Sequence, residues 1–420
     1  MADLSKTFCI LPWLHAATLT DGSIQLCCVS GDHSGINLNE QTIGDYWNSG
    51  YVKSARRQML AGQELAACQR CYQEERHGYK SHRVVENENW QERYGKEEIQ
   101  DLISKTAPDG TLDSDLQYLD LRLGNTCNMQ CIMCQPRESS RWALPGRELA
   151  ASSQDKELKR EWKFRSLINP KRFEWYRNDS FWSDLKSFLP RIKEVTIGGG
   201  EPFLIKEQFA FVKACCEMGE ANHIRLRYHT NGTVFPGDMV PYWRQFEWVH
   251  FLVSLDGVGE VANYVRYPSP WKTIESNIRH FDSLPENTLT NFNFTTHALN
   301  IQRLPEVLDW ASASGLRNRN CFTNIQDYVS PNLVLNPAYQ TIRVLPVDCK
   351  QFISTTIGAY LQKRLAGQNV EKLLSVVNFM NSRDDSKRLP TLIEYTKLLD
   401  NMRGTDFLTT FPELAPYWVH

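Results

Sequence analysis

QYLDLRLGNTCNMQCIMC, residues 117–134, joins a strand pattern to a cysteine cluster. Gln117–Leu123 reads as a β-strand that stops at Gly124-Asn125, and Cys127, Cys131 and Cys134 follow as C-x3-C-x2-C. Three thiolates in so short a span suit a loop wrapped around one metal centre. A structural zinc site wants four closed ligands, and ferredoxin loops use another spacing with a fourth cysteine. No fourth cysteine lies nearby. A [4Fe–4S] cluster held by three cysteines leaves one iron open to a substrate or cofactor.

Outward from this stretch, strands and helices alternate. Ile192–Ile197 ends in Gly198-Gly199-Gly200, Ile224–Tyr228 in Thr230-Asn231-Gly232, and Trp248–Leu255 in Asp256-Gly257. Phe292–Thr296 ends beside His297, and a further strand is expected around Cys321–Ile325. Helical stretches such as Ile205–Met218 and Leu304–Ser314 intervene. That alternation implies parallel βα units, whose strand C-termini carry the chemistry.

Composition narrows the class. The 47 basic and 49 acidic residues leave a net charge of −2, which offers no footprint for nucleic acid or an anionic membrane. No run of about 18 apolar residues occurs and no basic-then-apolar leader is seen, so a cytoplasmic protein with no membrane partner is expected. In that compartment twelve cysteines point to metal or catalytic use rather than disulfides. Cys215, Cys216, Cys321 and Cys349 are dispersed and read as buried, inert thiols. Residues 86–114 form a polar connector with a loop at Pro108-Asp109-Gly110, and from about 345 the pattern turns helical. There Val370, Leu373, Leu374, Val377 and Met380 make one amphipathic core face.

C-x3-C-x2-C after a barrel strand resembles the signature of the radical S-adenosylmethionine (SAM) superfamily. The resemblance implies that Cys127, Cys131 and Cys134 carry the catalytic [4Fe–4S] cluster, whose open iron chelates SAM. Reduction would cleave SAM to methionine and a 5′-deoxyadenosyl radical that abstracts a substrate hydrogen. Gly199-Gly200-Glu201-Pro202 resembles the family's glycine-glycine-glutamate motif, a carboxylate for the SAM ammonium with glycines permitting close approach. Thr230-Asn231-Gly232 resembles the next strand-end motif, which assigns Asn231 to the cofactor. Ser254-Leu255-Asp256-Gly257 followed by Arg266 resembles the segment that places Ser254 and Asp256 near the ribose and Arg266 on the SAM carboxylate. The family often has an aromatic residue before the third cysteine; here Met133 takes that place, with a thioether able to make similar soft contacts.

The N-terminal cysteines form a second group. Cys9, Cys27, Cys68 and Cys71, with Gly22 five positions before Cys27, resemble the twitch arrangement that holds an auxiliary [4Fe–4S] cluster around a β-hairpin. Asp21-Gly22 between Ala16–Leu19 and Ser23–Leu26 is the expected hairpin turn. A four-cysteine zinc site is the alternative. Cys27 and Cys28 face opposite ways on a strand, and the glycine spacing favours Cys27. The implied architecture is α/β: a twitch-like module over 1–85, the connector, a partial (β/α)6 barrel over 115–330 and a mainly helical region over 331–420.

For function, the resemblance implies a radical SAM enzyme acting on a peptide or protein side chain or on a small molecule. The auxiliary cluster would take up or relay an electron in an oxidoreductase-type reaction, with a flavodoxin- or ferredoxin-type donor. Further strand-end candidates are His229, Thr296, His297, Asn324 and Gln326, and Cys321 as a hydrogen donor to a substrate radical. The alternative class is a non-catalytic metal protein whose zinc or iron–sulfur sites organise a binding surface.

Overall fold

The computed structural model describes residues 6–76 and 80–418. These group by contacts into two units. The first takes the described residues up to Asn125 with Asn169–Tyr228 and Pro241–Val249, and the second takes Thr126–Ile168, His229–Val240 and the described residues from His250 onward.

The first unit carries β1 (His15–Thr18), β2 (Ile24–Gln25), β3 (Tyr118–Leu123), β4 (Glu194–Gly199) and most of β5 (Arg225–Thr230), in the order β2-β1-β3-β4-β5. β3, β4 and their partners β1 and β5 pair in parallel, with Leu121 opposite Ile197 and Val195 opposite Leu226. Parallel strands are covered on both faces, and Leu119, Leu121, Leu123, Val195 and Ile197 are buried accordingly. β5 alternates, with Leu226 and Tyr228 buried and Arg225 and Arg227 only partly so.

β1 and β2 form an antiparallel hairpin, Ala17 opposite Gln25 and Thr18 opposite Ile24. Its turn closes through Leu19 N–H to Ser23 O at 2.7 Å, with Gly22 at φ +83°. A Cβ on Gly22 would lie 2.9 Å from the Trp175 ring, and Trp175 Nε1 donates to Thr20 O at 3.0 Å. β1 lies one residue earlier than the pattern suggested, where it also pairs in parallel with β3, His15 to Tyr118 and Ala17 to Asp120, and β2 keeps only the middle two residues of Ser23–Leu26. The connector holds the helix His82–Ser104, broken at Gly95, where φ is +80°.

The second unit carries most of β6 (Trp248–Ser254), with β7 (Thr288–Thr296) and β8 (Val329–Leu333), in that order, β7 and β8 being parallel. Helix Trp271–Asp282 shows why the local pattern works: Ile274, Ile278 and Phe281 recur on one face and are buried.

Three expectations are corrected here. No strand forms at 321–325; Arg317–Cys321 is a 3-10 turn, Ile325–Tyr328 a short helix, and the strand is β8. The reason is local. Asp282 accepts the Arg317 and Asn318 backbone N–H groups at 2.6 and 2.8 Å and Asn318 Nδ2 at 2.7 Å, which curls the segment. β8 contains Ser330-Pro331-Asn332, which reads as a turn but is tolerated on a terminal strand, where the missing N–H costs no ladder bond. Cys321 is exposed, not a buried thiol. In helix Glu371–Asn381 the buried face is Leu373, Val376 and Met380, while Leu374 is exposed.

Asp282→Ala strands buried N–H donors at the turn, so it should cost about 2–4 kcal/mol and lower the melting midpoint by roughly 5–10 °C. A thermal melt unchanged from wild type would contradict this account of the turn.

Candidate active site

In the first unit, β3 hands over to the cysteine segment at Gly124, where only glycine fits. Its φ is +62°, and a Cβ would come within 2.4 Å of Phe173 O and 2.5 Å of the Tyr176 ring. Gly199, at φ +121°, stands so close that its Cβ would lie 2.8 Å from Gly124 O, and Gly200 N–H donates to that oxygen at 3.1 Å. Glu201 follows, fully buried, with Oε1 accepting the Phe203 N–H at 3.2 Å. The glycines thus serve main-chain approach at the strand end, and the carboxylate sits directly behind them.

In the second unit, the loop Cys127–Cys134 is held by its main chain. Gln130 N–H donates to Tyr267 O at 2.5 Å and Ile132 N–H to Val265 O at 2.9 Å. Ser139 Oγ donates to Met129 O at 2.6 Å, and Trp142 Nε1 to Cys131 O at 3.1 Å. Ile132 O accepts both Gln340 Nε2 and the Tyr395 hydroxyl at 2.7 Å. Cys127 Sγ accepts the Met129 N–H at 3.4 Å. Cys131 is buried; Cys127, Met133 and Cys134 are half-buried. The Cys131 and Cys134 thiols hydrogen-bond to each other, which lowers Cys131 with help from the Arg266 guanidinium and raises Cys134.

Asn231 joins this loop. Its Nδ2 donates to Asn128 Oδ1 at 2.9 Å and lies 3.9 Å from Cys127 Sγ. Its Oδ1 accepts the Thr233 N–H and hydroxyl at 2.9 and 2.6 Å, and Asn128 Nδ2 returns to Thr233 Oγ1 at 2.9 Å, closing a ring of amide and hydroxyl contacts. Asn128 and Thr233 also line an open cleft of about 540 Å3 with Asn263, Tyr267, Ser269 and two prolines.

Asp256 and Arg266, assigned separate cofactor contacts by resemblance, pair with each other, Arg266 Nη1 to Asp256 Oδ2 at 2.5 Å. Asp256 is fully buried; its Oδ1 also accepts the Thr295 N–H at 2.6 Å, and Asn300 Nδ2 donates to its carbonyl at 3.0 Å. Ser254, two residues before Asp256, is half-buried. Arg266 stays charged, since desolvation is outweighed by Cys131 and Asp256.

Of the other strand-end candidates, Asn324 and Gln326 hold the segment around Asn369: Asn324 Oδ1 accepts the Asn369 N–H at 3.0 Å, and Gln326 bridges Asn369 and Lys372. Thr296 and His297 are fully buried, and burial pushes His297 down to about 3, so it is neutral. Its Nδ1 accepts the Leu299 N–H at 3.2 Å. His229 is half-buried.

The other cysteine group lies in the first unit. Cys9, Cys27 and Cys71 are buried and Cys68 is half-buried. Burial raises all four thiols, Cys68 to about 12, and three of them also feel others of the group: Cys9 feels Cys68 and Cys71, Cys27 feels Cys9 and Cys68, and Cys68 feels Cys71. Cys28 is exposed, with Sγ 3.7 Å from His82 Nε2.

Residues that sequence reasoning missed are Asn128, Thr233, Gln340, Tyr395 and Arg403. The last three carry no local motif and reach the loop from 208 to 273 positions away. Asp256→Ala should leave buried Arg266 unpaired and cost about 3–5 kcal/mol. Urea unfolding checks this, and a loss below about 1 kcal/mol would mean the pair is not the buried anchor described.

Residues 121–311 match the family model described as the radical SAM superfamily. No curated protein sequence is significantly similar to the chain. Among solved structures, Streptococcus suis SuiB bound to precursor peptide SuiA is 12% identical, with 80% of this chain and 66% of SuiB covered and a TM-score of 0.38. SuiB bound to S-adenosylmethionine gives 12%, 80%, 66% and 0.37. TYW1 with a lysine-pyruvate adduct is 11% identical, covering 59% of this chain and 74% of TYW1, with a TM-score of 0.30. Residues 121–311 therefore form a radical SAM superfamily domain, and the chain that carries it is an enzyme.

Proposed function

We propose that the chain generates a 5′-deoxyadenosyl radical from SAM at the Cys127–Cys131–Cys134 loop and abstracts hydrogen from an unactivated C–H bond. The observation that carries this reading is the loop itself: three thiols within the matched domain, on a main chain fixed by its neighbours, with Asn231 against Cys127.

The donor set suits an iron–sulfur cluster. A backbone N–H already points at Cys127 sulfur, and Arg266 favours the Cys131 thiolate. Among the described residues no three Cys, His, Asp or Glu side chains already converge at metal-bond distance, so ligation draws on side-chain rotation within the fixed loop. A cluster bound there supplies the electron that cleaves SAM. The chain's own residues do the holding. Glu201 offers a buried carboxylate to the SAM ammonium, with Gly199 and Gly200 allowing close approach. Arg266 offers its guanidinium to the SAM carboxylate while Asp256 fixes its direction, and Ser254, Asp256 and Met133 serve the ribose and adenine.

Cys9, Cys27, Cys68 and Cys71 are read as ligands of an auxiliary [4Fe–4S] cluster in an N-terminal twitch-like module. Their mutual influence and burial support this, and the turning of Cys28 towards His82 supports Cys27 as the ligand. A fully ligated cluster suits uptake of an electron from a substrate radical, making the net reaction an oxidation. The substrate is a peptide or protein side chain or a small molecule, and a cytoplasmic flavodoxin- or ferredoxin-type protein supplies the reducing electron.

After anaerobic reconstitution, Cys127→Ala, Cys131→Ala and Cys134→Ala should each abolish 5′-deoxyadenosine formation from SAM and dithionite; wild-type yield in any of them would sink the proposal. Cys9→Ala with Cys68→Ala should remove about half the iron and sulfide while sparing the cluster that responds to SAM. Unchanged iron, or zinc in its place, would count against the auxiliary cluster.

A further inference from the structure

The cysteine loop is also held by a cation from the C-terminal helices. Helix Leu389–Arg403 ends in Arg403, whose Nη2 donates to Gln130 O at 2.5 Å and whose Nη1 donates to Tyr264 O at 3.4 Å. The guanidinium carbon lies 5.3 Å from the Trp142 ring centroid and 4.9 Å from that of Tyr267. Trp142 is itself bonded to Cys131 O, and Tyr267 O accepts the Gln130 N–H. Three of these four contacts therefore fall on the loop or on a residue that holds it, and the fourth, at Tyr264 O, falls next to Val265, whose carbonyl accepts the Ile132 N–H.

Burial disfavours the charge, the largest influences that favour it come from Tyr395, Tyr264, Cys131 and Tyr267, and the hydrogen bonds Arg403 makes go to carbonyl oxygens rather than to a carboxylate. Ring faces and carbonyl oxygens stabilise a cation without neutralising it. Its field is thus left to act on whatever occupies the loop, in a poorly screened interior. Arg266, by contrast, has much of its charge offset by Asp256.

We propose that Arg403 is a positioning residue that tunes the reduction potential of a cluster held by Cys127, Cys131 and Cys134. This rests on the cluster reading above. A fixed positive charge favours the reduced, more negative cluster, so its removal lowers the potential and makes the first electron harder to deliver. The forked guanidinium also ties Gln130 to Tyr264, which fixes the distance between charge and loop.

The test uses full-length Arg403→Gln and Arg403→Lys, reconstituted anaerobically, with iron per chain and a redox titration followed by electron paramagnetic resonance. The signal that changes on adding SAM marks the loop's cluster. Arg403→Gln is expected to keep its iron and show a midpoint shifted to lower potential. Arg403→Lys, which keeps the charge but not the fork, should recover most of that shift. A wild-type midpoint in Arg403→Gln overturns the inference. So does loss of the SAM-responsive signal in both variants, which would make the residue a mechanical brace. A wild-type chain with no reducible, SAM-responsive cluster overturns the cluster reading beneath it as well.

Discussion

Both backbone groups of one residue hold the cysteine loop in place. Ile132 sits between Cys131 and Met133; its N–H is taken by Val265 O, and its carbonyl is shared by Gln340 and Tyr395. The loop around Cys127, Cys131 and Cys134 has neither helix nor ladder, so beyond the Cys134 N–H to Cys131 O bond its backbone needs outside partners. Each buried peptide group left unpaired would cost about 1–3 kcal/mol. The chain answers by bringing partners from three separate segments, so the loop is shaped before any ligand arrives. Pre-shaping of this kind lowers the ordering cost of binding.

The strand ends follow a related rule. Gly124, Gly199 and Gly200 are spaced for main-chain contact, and Glu201 is delivered behind them by the same close approach. Asp256 is shared between the Thr295 backbone and Arg266, so the end of β6 is tied to the end of β7 through one carboxylate. Charged groups are fully buried at these ends only where a partner is already in place.

Much of this could be read from the chain, and the reasons are physical. Short apolar-polar alternation, as in YLDLRL and RLRYHT, ends repeatedly in glycine, asparagine or aspartate, so β3 to β7 stand out. The cysteines declare themselves because thiol chemistry tolerates no substitute. β8 was hidden because Pro331 reads as a turn, and the Asp282 turn before it depends on a residue 35 positions earlier. Arg403, Tyr395 and Gln340 could not be found at all. Their roles consist of reaching main-chain carbonyls, which leaves no mark on local pattern. The pairing of Asp256 with Arg266 was equally unreadable, since spacing gives both residues a place but not a preference for each other.

The lock on the N-terminal hairpin has a bearing on biogenesis. Trp175 closes over Gly22 and bonds Thr20 O across 155 positions of chain. On a ribosome, the segment bearing Cys9, Cys27, Cys68 and Cys71 emerges long before the tryptophan that seals its turn. β3, the parallel partner of β1, is also made about a hundred residues late. During that interval the four thiols belong to an unsealed edge, whereas in the finished fold Cys9, Cys27 and Cys71 are buried. The earliest residues made are thus among the last to be fixed in place.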